Sequence, residues 1–154
     1  MNDTKFQFQD PGELFDGNLK LVLSDKQMGD PSKNWVPCYR FNMMLADHDV
    51  EFGHIDLRVG NTHHLVTYGG YFAYDVNPEH RGHHYAARAC KLLLPLAHSH
   101  GLNPVWITCR PDNIASRRTC ELAGAELVAI VDLPEDTDMY KRGYRQVCRY
   151  RLGA

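Results

Sequence analysis

The chain has 154 residues, the size of one domain, and the composition of a globular protein. Hydrophobic residues make up 44% and charged residues 23%, a balance that argues against intrinsic disorder. The 17 Lys and Arg against 19 Asp and Glu give a formal net charge of −2, so we expect no bulk attraction to nucleic acid or to an anionic membrane.

The N-terminal region and the cysteines bear on localisation. Residues 1–17 lack the apolar core of a secretory signal, and the longest apolar run, around residues 92–97, is far shorter than the ~20 residues of a membrane span. The five cysteines are scattered and form no CxxC pair, which favours reduced thiols. We therefore expect a cytoplasmic protein whose residues 1–154 form one domain, with residues 1–17 as an N-terminal arm.

The first half of the chain predicts strands. Segments rich in β-formers indicate strands at 18–24, 38–45, 50–59 and 71–76. Within the third of these, FGHIDLRV alternates apolar and polar residues, which is typical of a half-buried antiparallel strand.

The second half adds helices between strands. Apolar residues at helical spacing predict a helix that opens over residues 81–86 and extends to about residue 100. Further along the chain, the patterns predict a strand at 105–109, a helix at 114–123, and strands at 127–131 and 144–152. This order predicts an α/β protein of mixed α+β type, with a central mixed, mostly antiparallel sheet of about six or seven strands and helices on both faces.

The segment most informative about function joins the strand 71–76 to the first helix and reads VNPEHRGHHYA over residues 76–86. A helix N-terminus presents unpaired N–H groups and a partial positive charge, which suit phosphate oxygens. Gly82 allows a ligand to approach the backbone closely, and Arg81 adds a permanent cation. The segment therefore predicts an anion site at the end of a central strand, with a plain turn and a solvated Arg81 as the alternative.

This segment resembles the acyl-CoA signature of the GNAT N-acetyltransferase superfamily, Arg/Gln-x-x-Gly-x-Gly/Ala. It departs from the signature at His84, which stands where the middle glycine occurs. A second stretch, NIASRR at 113–118 followed by LAGA at 122–125, resembles the N-x-x-S segment of the family and the end of the helix that follows it. The resemblance extends over about residues 18–152 and implies the GNAT acyl-CoA N-acyltransferase fold.

The resemblance also implies acetyl-CoA as cosubstrate and direct attack of an amine on its thioester in a ternary complex. It implies an oxyanion donor at a backbone N–H near Val76, and a splay between strands 71–76 and 105–109 that admits the pantetheine arm. The residues that it assigns to acetyl-CoA binding are Val76, Arg81, Gly82, His83, His84, Tyr85, Ala86, Asn113 and Ser116.

Three side chains are the candidates for catalysis: Ser116, Cys120 and Asp75. Ser116 occupies the N-x-x-S position and is a candidate proton donor to the leaving thiolate. Cys120 lies one helical turn later on the same face, close to where the family often has a tyrosine. For the base that accepts the proton of the amine, the candidates are Asp75, His54 and Glu51.

The acceptor side is less defined by the sequence. Glu135, Asp136 and Asp138 in the loop 132–143 are candidates to attract a cationic amine, with a merely solvated loop as the alternative. A small molecule and a protein N-terminus both remain possible acceptors, as do a monomer and a homodimer. We expect no nucleic-acid or membrane partner.

Two alternatives compete with this interpretation. One is a metal site formed by the histidines at 80, 83 and 84. The side chains of adjacent helical residues diverge by about 100°, and no Cys or carboxylate completes a ligand set. We therefore expect no metal. The other alternative is a non-catalytic acyl-CoA sensor or interaction domain of the same fold, which His84 and the missing tyrosine keep open.

Overall fold

The computed structural model describes residues 6–153, and these contain eight strands and three α-helices. The strands are β1 Leu14–Asp16, β2 Leu19–Gln27, β3 Cys38–Leu45, β4 Glu51–Arg58, β5 Phe72–Val76, β6 Val105–Cys109, β7 Glu126–Asp132 and β8 Gln146–Leu152. The helices are α1 Tyr85–Ser99, α2 Ile114–Leu122 and α3 Asp138–Lys141. Within residues 6–153, no helix combines the length and the hydropathy that crossing a membrane requires.

The strands form two antiparallel sheets. The larger sheet has the order β1-β2-β3-β4-β5 and the smaller one has the order β6-β8-β7. The prediction of a mixed α+β protein with mostly antiparallel strands is confirmed. The division into two sheets of five and three strands differs from the expected single sheet.

The two sheets separate between β5 and β6. Just before β5, the N–H of Tyr71 donates to the carbonyl of Trp106 over 2.7 Å, and the Thr108 hydroxyl donates to the carbonyl of Tyr68 over 2.8 Å. Beyond these bonds, the two described strands form no ladder with each other. Their separation opens a cleft at the centre of the protein, as the resemblance implied.

The core lies between the larger sheet and α1. On α1, Tyr85, Ala89 and Leu93 recur every fourth residue and are buried, which places one face of the helix against the sheet. Phe41 and Ile55 are fully buried on β3 and β4. Burial of a Leu, Ile or Phe side chain contributes roughly 1.5–3 kcal/mol, so this packing holds the start of α1 firmly against the sheet.

Two of the differences from the predicted element bounds change the description of the fold. α1 begins at Tyr85 rather than near Arg81, because Gly82 and His84 adopt positive φ angles of 95° and 61°, which an α-helix cannot contain. Leu14–Asp16, inside the segment expected to be an arm, pairs with β2 and forms the edge of the larger sheet.

Candidate active site

The loop between β5 and α1 carries a row of backbone N–H groups that have no acceptor among residues 6–153. The N–H of Arg81 donates to the carbonyl of Pro78, and the first N–H of α1 with a helical acceptor belongs to Arg88, which donates to the carbonyl of His84. Among the described residues, no N–H group from 82 to 87 donates to a protein atom. Such groups at a helix N-terminus are ready donors to phosphate oxygens.

Backbone conformation, rather than crowding, explains the residue types of this loop. A Cβ on Gly82 would meet no described atom within 4 Å, so its φ of 95° is what requires glycine. His84 caps α1 in the left-handed region, with φ 61° and ψ 27°, at the position where the family signature has glycine. Histidine is one of the residue types enriched there, although the conformation costs roughly 1–2 kcal/mol.

Arg81 ties this loop to the end of β5. Its Nε donates to the carbonyl of Val76 over 2.9 Å, and its Nη2 lies 3.6 Å from Oδ1 of Asp75. Both side chains of the ion pair are more than half exposed, so the pair itself adds little stability. The bond to Val76 holds the guanidinium beside the free N–H groups, where it adds positive charge.

A cavity of about 450 Å³ opens in front of the loop and extends along α2. Of the residues predicted to bind acetyl-CoA, all but His83 line this cavity. The His83 ring instead packs beside Tyr85, with 5.3 Å between ring centroids. Arg118, which the sequence analysis did not single out, also lines the cavity from α2 and adds a second cation.

A larger cavity of about 810 Å³ lies in the cleft between the two sheets. Its walls come from β5, β6, the π-helical turn Leu65–Gly69 and the start of α3. Three residues, Tyr74, Asn113 and Ser116, line both cavities. We call this trio the shared wall, because a group bound in one cavity meets a group bound in the other at these side chains.

Tyr74 is the functional candidate that sequence reasoning missed. Its hydroxyl forms a 2.9 Å hydrogen bond with Oγ of Ser116 and lies 3.8 Å from Sγ of Cys120. Burial, and then the neighbouring thiols of Cys120 and Cys90, raise the pKa of Tyr74, so the phenol keeps its proton at neutral pH. The available signal was strand alternation, which places Tyr74 and Asp75 on opposite faces of β5.

Asn113 and Ser116 are held by the start of α2. Oδ1 of Asn113 accepts the N–H of Ser116 over 3.1 Å, as a helix cap does. This bond leaves the Asn113 Nδ2 group available as a donor on the shared wall. Cys120, one turn further along α2, is completely buried and lines neither cavity.

The structure does not bring the three candidate bases to the shared wall. Asp75 lines the smaller cavity, where it is paired with Arg81. Glu51 is exposed and accepts a hydrogen bond from Asn42, and His54 lies opposite Asp75 across β4 and β5. Neither Glu51 nor His54 lines a cavity.

The loop acids and the histidines also separate in space. Asp138 lines the larger cavity, Asp136 lines a third, polar cavity next to it, and Glu135 lines none of the three. His80 stacks on Phe52 with 5.0 Å between centroids. Across residues 6–153, no group of three or more His, Cys, Asp or Glu side chains is arranged to hold a metal ion.

The fold is shared with solved acetyltransferase structures. One is an acetyltransferase (GNAT family) from Bacillus anthracis, 20% identical, with a TM-score of 0.56 over 73% of this chain and 64% of that one. Another is the microcin C7 self immunity acetyltransferase MccE in complex with acetyl-CoA and AMP, 15% identical, with a TM-score of 0.58 over 76% and 61%. A third is the ribosomal-protein-S5-alanine acetyltransferase from Vibrio fischeri, 13% identical, with a TM-score of 0.58 over 74% and 60%.

These likenesses establish the fold alone, and this chain spans less than two thirds of the length of each of these proteins. No curated protein matches the chain. The sequence model of the family described as "Acetyltransferase (GNAT) domain" matches residues 22–126, a stretch that includes the loop after β5 and the whole shared wall. The chain therefore belongs to the GNAT acetyltransferase family.

Proposed function

We propose that the chain is an acetyl-CoA-dependent N-acetyltransferase that transfers the acetyl group to a primary amine by direct attack in a ternary complex. The observation that carries this proposal is the shared wall of Tyr74, Asn113 and Ser116 between the two cavities. The self immunity acetyltransferase with this fold was solved with acetyl-CoA, which supports the same cosubstrate.

The smaller cavity is where we place the phosphates of acetyl-CoA. The free N–H groups of residues 82–87 are the donors to the diphosphate, and Arg81 and Arg118 supply compensating charge. Gly82 has no Cβ between these groups and the ligand. The ring of His84 lines the same cavity, so it borders the path of the diphosphate.

The shared wall is where we place the thioester. Nδ2 of Asn113 donates to an amide carbonyl of the pantetheine arm, and a backbone N–H near Val76 stabilises the oxyanion. The Tyr74 hydroxyl, which its raised pKa keeps protonated, donates to the departing thiolate, with Ser116 hydrogen-bonded behind it. Because a thiolate is a modest base, this proton transfer accelerates the reaction without being indispensable.

The larger cavity is where we place the amine. The shared wall contains no carboxylate and no imidazole, so the ammonium group of the acceptor loses its proton to water or to the carboxylate of Asp138 before the neutral amine attacks. Asp75 is paired with Arg81 on the other face of β5, and we assign it to holding the loop. The acceptor is a small amine or a protein N-terminus.

The decisive experiment combines calorimetry of acetyl-CoA binding with a screen of amines that reads the release of free CoA thiol. We expect binding and thiol release with at least one amine class among amino acids, polyamines, aminoglycosides and N-terminal peptides. Gly82→Val blocks the approach of the diphosphate and abolishes binding. Its matched control is Gly124→Val, because Gly124 has a similar φ of 91° and equally open space but lines no cavity.

The control separates loss of the site from loss of the fold. Both valine variants carry the same backbone strain, so equal losses of acetyl-CoA binding in the two would contradict the proposed site.

A second candidate function, a non-catalytic acyl-CoA sensor, is favoured by His84 at the glycine position of the signature. Tight acetyl-CoA binding with no thiol release from any amine would select the sensor.

A further inference from the structure

The walls of the larger cavity carry more positive than negative charge. The charged side chains that line this cavity are Asp56, Arg58, Arg110, Asp138 and Arg142. Asp56 accepts two hydrogen bonds from Arg40, over 2.8 and 3.0 Å, and Arg40 does not itself line the cavity. The charge of Asp56 is therefore already compensated, which leaves three arginines against one aspartate.

The three arginines of this cavity lack a strong carboxylate partner of their own. Among residues 6–153, Arg58 and Arg142 form no ion pair. Nε of Arg110 lies 3.6 Å from Oδ1 of Asp112, whose side chain is largely exposed, and an exposed pair of this kind contributes little. The cavity therefore offers positive charge that the described part of the protein does not neutralise.

Arg58 is held in place by backbone carbonyls and keeps one edge free. Its Nη1 donates to the carbonyls of Gly69 and Gly70, over 3.2 and 3.4 Å, where the π-helical turn ends. Within residues 6–153, neither Nε nor Nη2 of Arg58 has an acceptor, and neither atom is buried. These two atoms form the edge of a guanidinium that matches the two oxygens of a carboxylate or phosphate. Arg40 binds Asp56 through the same edge.

The position of Arg58 sets the length of a ligand that reaches both Arg58 and the shared wall. The backbone N–H of Arg58 donates to the carbonyl of Tyr71 over 2.8 Å, and Tyr74 of the shared wall follows three residues later. Because a strand rises about 3.3 Å per residue, the two positions are separated by roughly 10 Å. An extended chain of three residues spans a similar length.

We propose that the acceptor is an amine that also carries an anionic group, a carboxylate or a phosphate, and that the free edge of Arg58 binds this group. The amine then lies at the shared wall, and the anion lies roughly 10 Å away. Arg110 and Arg142 add to the positive potential that attracts such a molecule. This inference rests on the proposed function, because it names the acceptor class of the same site. Polyamines and aminoglycosides, which carry no anion, are then poor acceptors.

The test compares matched pairs of amines in the assay of thiol release from acetyl-CoA. The carboxylate pair is triglycine and its C-terminal amide, and the phosphate pair is 6-aminohexyl phosphate and 6-aminohexanol. We expect the anionic member of at least one pair to have a kcat/KM on the order of 10- to 100-fold higher, as for a charge-assisted hydrogen bond. The pair with the larger ratio identifies the anion.

Variants assign the preference to the charge of Arg58. Arg58→Gln brings the ratio within each pair close to one, and Arg58→Lys, which keeps the charge, restores part of it. The matched control is Arg149→Gln, because Nη2 of Arg149 donates to the carbonyl of Val66 in the same π-helical turn but Arg149 lines neither cavity. We expect this control to keep the wild-type ratio. An equal loss of the ratio in Arg149→Gln and Arg58→Gln would contradict the assignment.

The ratio is measured within one sample of each variant, so it does not depend on the fraction of the protein that is folded. Thiol release at equal rates for both members of each pair overturns the proposal. If no amine releases thiol, the proposed function fails, and calorimetry without acetyl-CoA decides the present inference. Wild type then binds the anionic member of one pair at least 10-fold more tightly than its neutral partner, and Arg58→Gln does not. Equal binding of both members of each pair, or no binding, overturns the inference.

Discussion

Replacing His84 by glycine tests the loop that we assign to phosphate binding. His84 adopts φ 61° and ψ 27°, a left-handed conformation that costs a non-glycine residue roughly 1–2 kcal/mol. Glycine removes this strain but adds about 0.4–1 kcal/mol of conformational entropy to the unfolded chain. We therefore expect His84→Gly to be neutral or to stabilise the protein by up to about 1.6 kcal/mol.

The matched control is His83→Gly. His83 is exposed like its neighbour but does not have a positive φ, so its replacement adds the same unfolded-state entropy without relieving strain. The entropy therefore cancels in the comparison, and the two variants differ by the strain, about 1–2 kcal/mol, and by the contact of the His83 ring with Tyr85, whose loss adds to the difference in the same direction. For a chain of this size, that difference separates their midpoints of thermal unfolding by roughly 2–8 °C, with His84→Gly the more stable.

Acetyl-CoA binding gives the second readout of the same pair of variants. His84 lines the smaller cavity and His83 does not, so removal of the His84 ring leaves the affinity unchanged or tightens it, while His83→Gly leaves it unchanged. Thermal unfolding followed by circular dichroism and calorimetric titration measure the two quantities. Equal destabilisation by the two substitutions, or loss of affinity in His84→Gly, would refute the account of this loop.

Three further predictions concern other parts of the molecule. Tyr74→Phe lowers kcat by roughly 10- to 100-fold in steady-state assays and leaves the acetyl-CoA Kd unchanged, and an unchanged kcat would exclude Tyr74 as proton donor. Arg118→Ala weakens acetyl-CoA binding, measured by calorimetry, by about 1–2 kcal/mol. The control Lys91→Ala, at an exposed position outside the cavity, leaves binding unchanged. Equal effects of the two substitutions would contradict the assignment of Arg118 to acetyl-CoA binding. The ring of His100 is hydrogen-bonded to the Tyr39 hydroxyl, and burial lowers the pKa of His100. The neutral His100 side chain therefore stabilises the fold above pH 6.5, and this contribution is lost as the pH falls through the folded-state pKa. Urea unfolding at pH 7.5 and pH 5 measures this loss, which His100→Gln diminishes; an identical pH dependence in the variant would contradict the prediction.

The elements that were predicted well are those with a strong local pattern. Cys38–Leu45 and Val105–Cys109 have the predicted bounds, because alternation or an uninterrupted apolar run specifies how each strand is buried. The start of α1 was misplaced, because the positive φ of His84 is not encoded in its residue type. The family signature has glycine at this position, which would have indicated a positive φ, whereas histidine gives no such indication.

The site was predicted unevenly for a related reason. The loop after β5 is one continuous segment, so the residue types from which we predict anion binding are neighbours in sequence. Tyr74 and Ser116 are 42 residues apart, and only the packing of α2 across β5 brings their hydroxyls within 2.9 Å. The same packing leaves Glu51 and His54 outside both cavities, although their residue types suit a catalytic base.

The sequence alone therefore determined the kinds and order of most elements, the loop that we propose binds phosphate, and the family resemblance, since each depends on short-range patterns of residue type. The tertiary structure decided that β5 and β6 separate and that Tyr74 stands at the wall between the two cavities. These are contacts between distant segments, and they arise from how the two sheets and α2 pack together. Such packing depends on the shapes of all the buried side chains at once, which no single segment specifies.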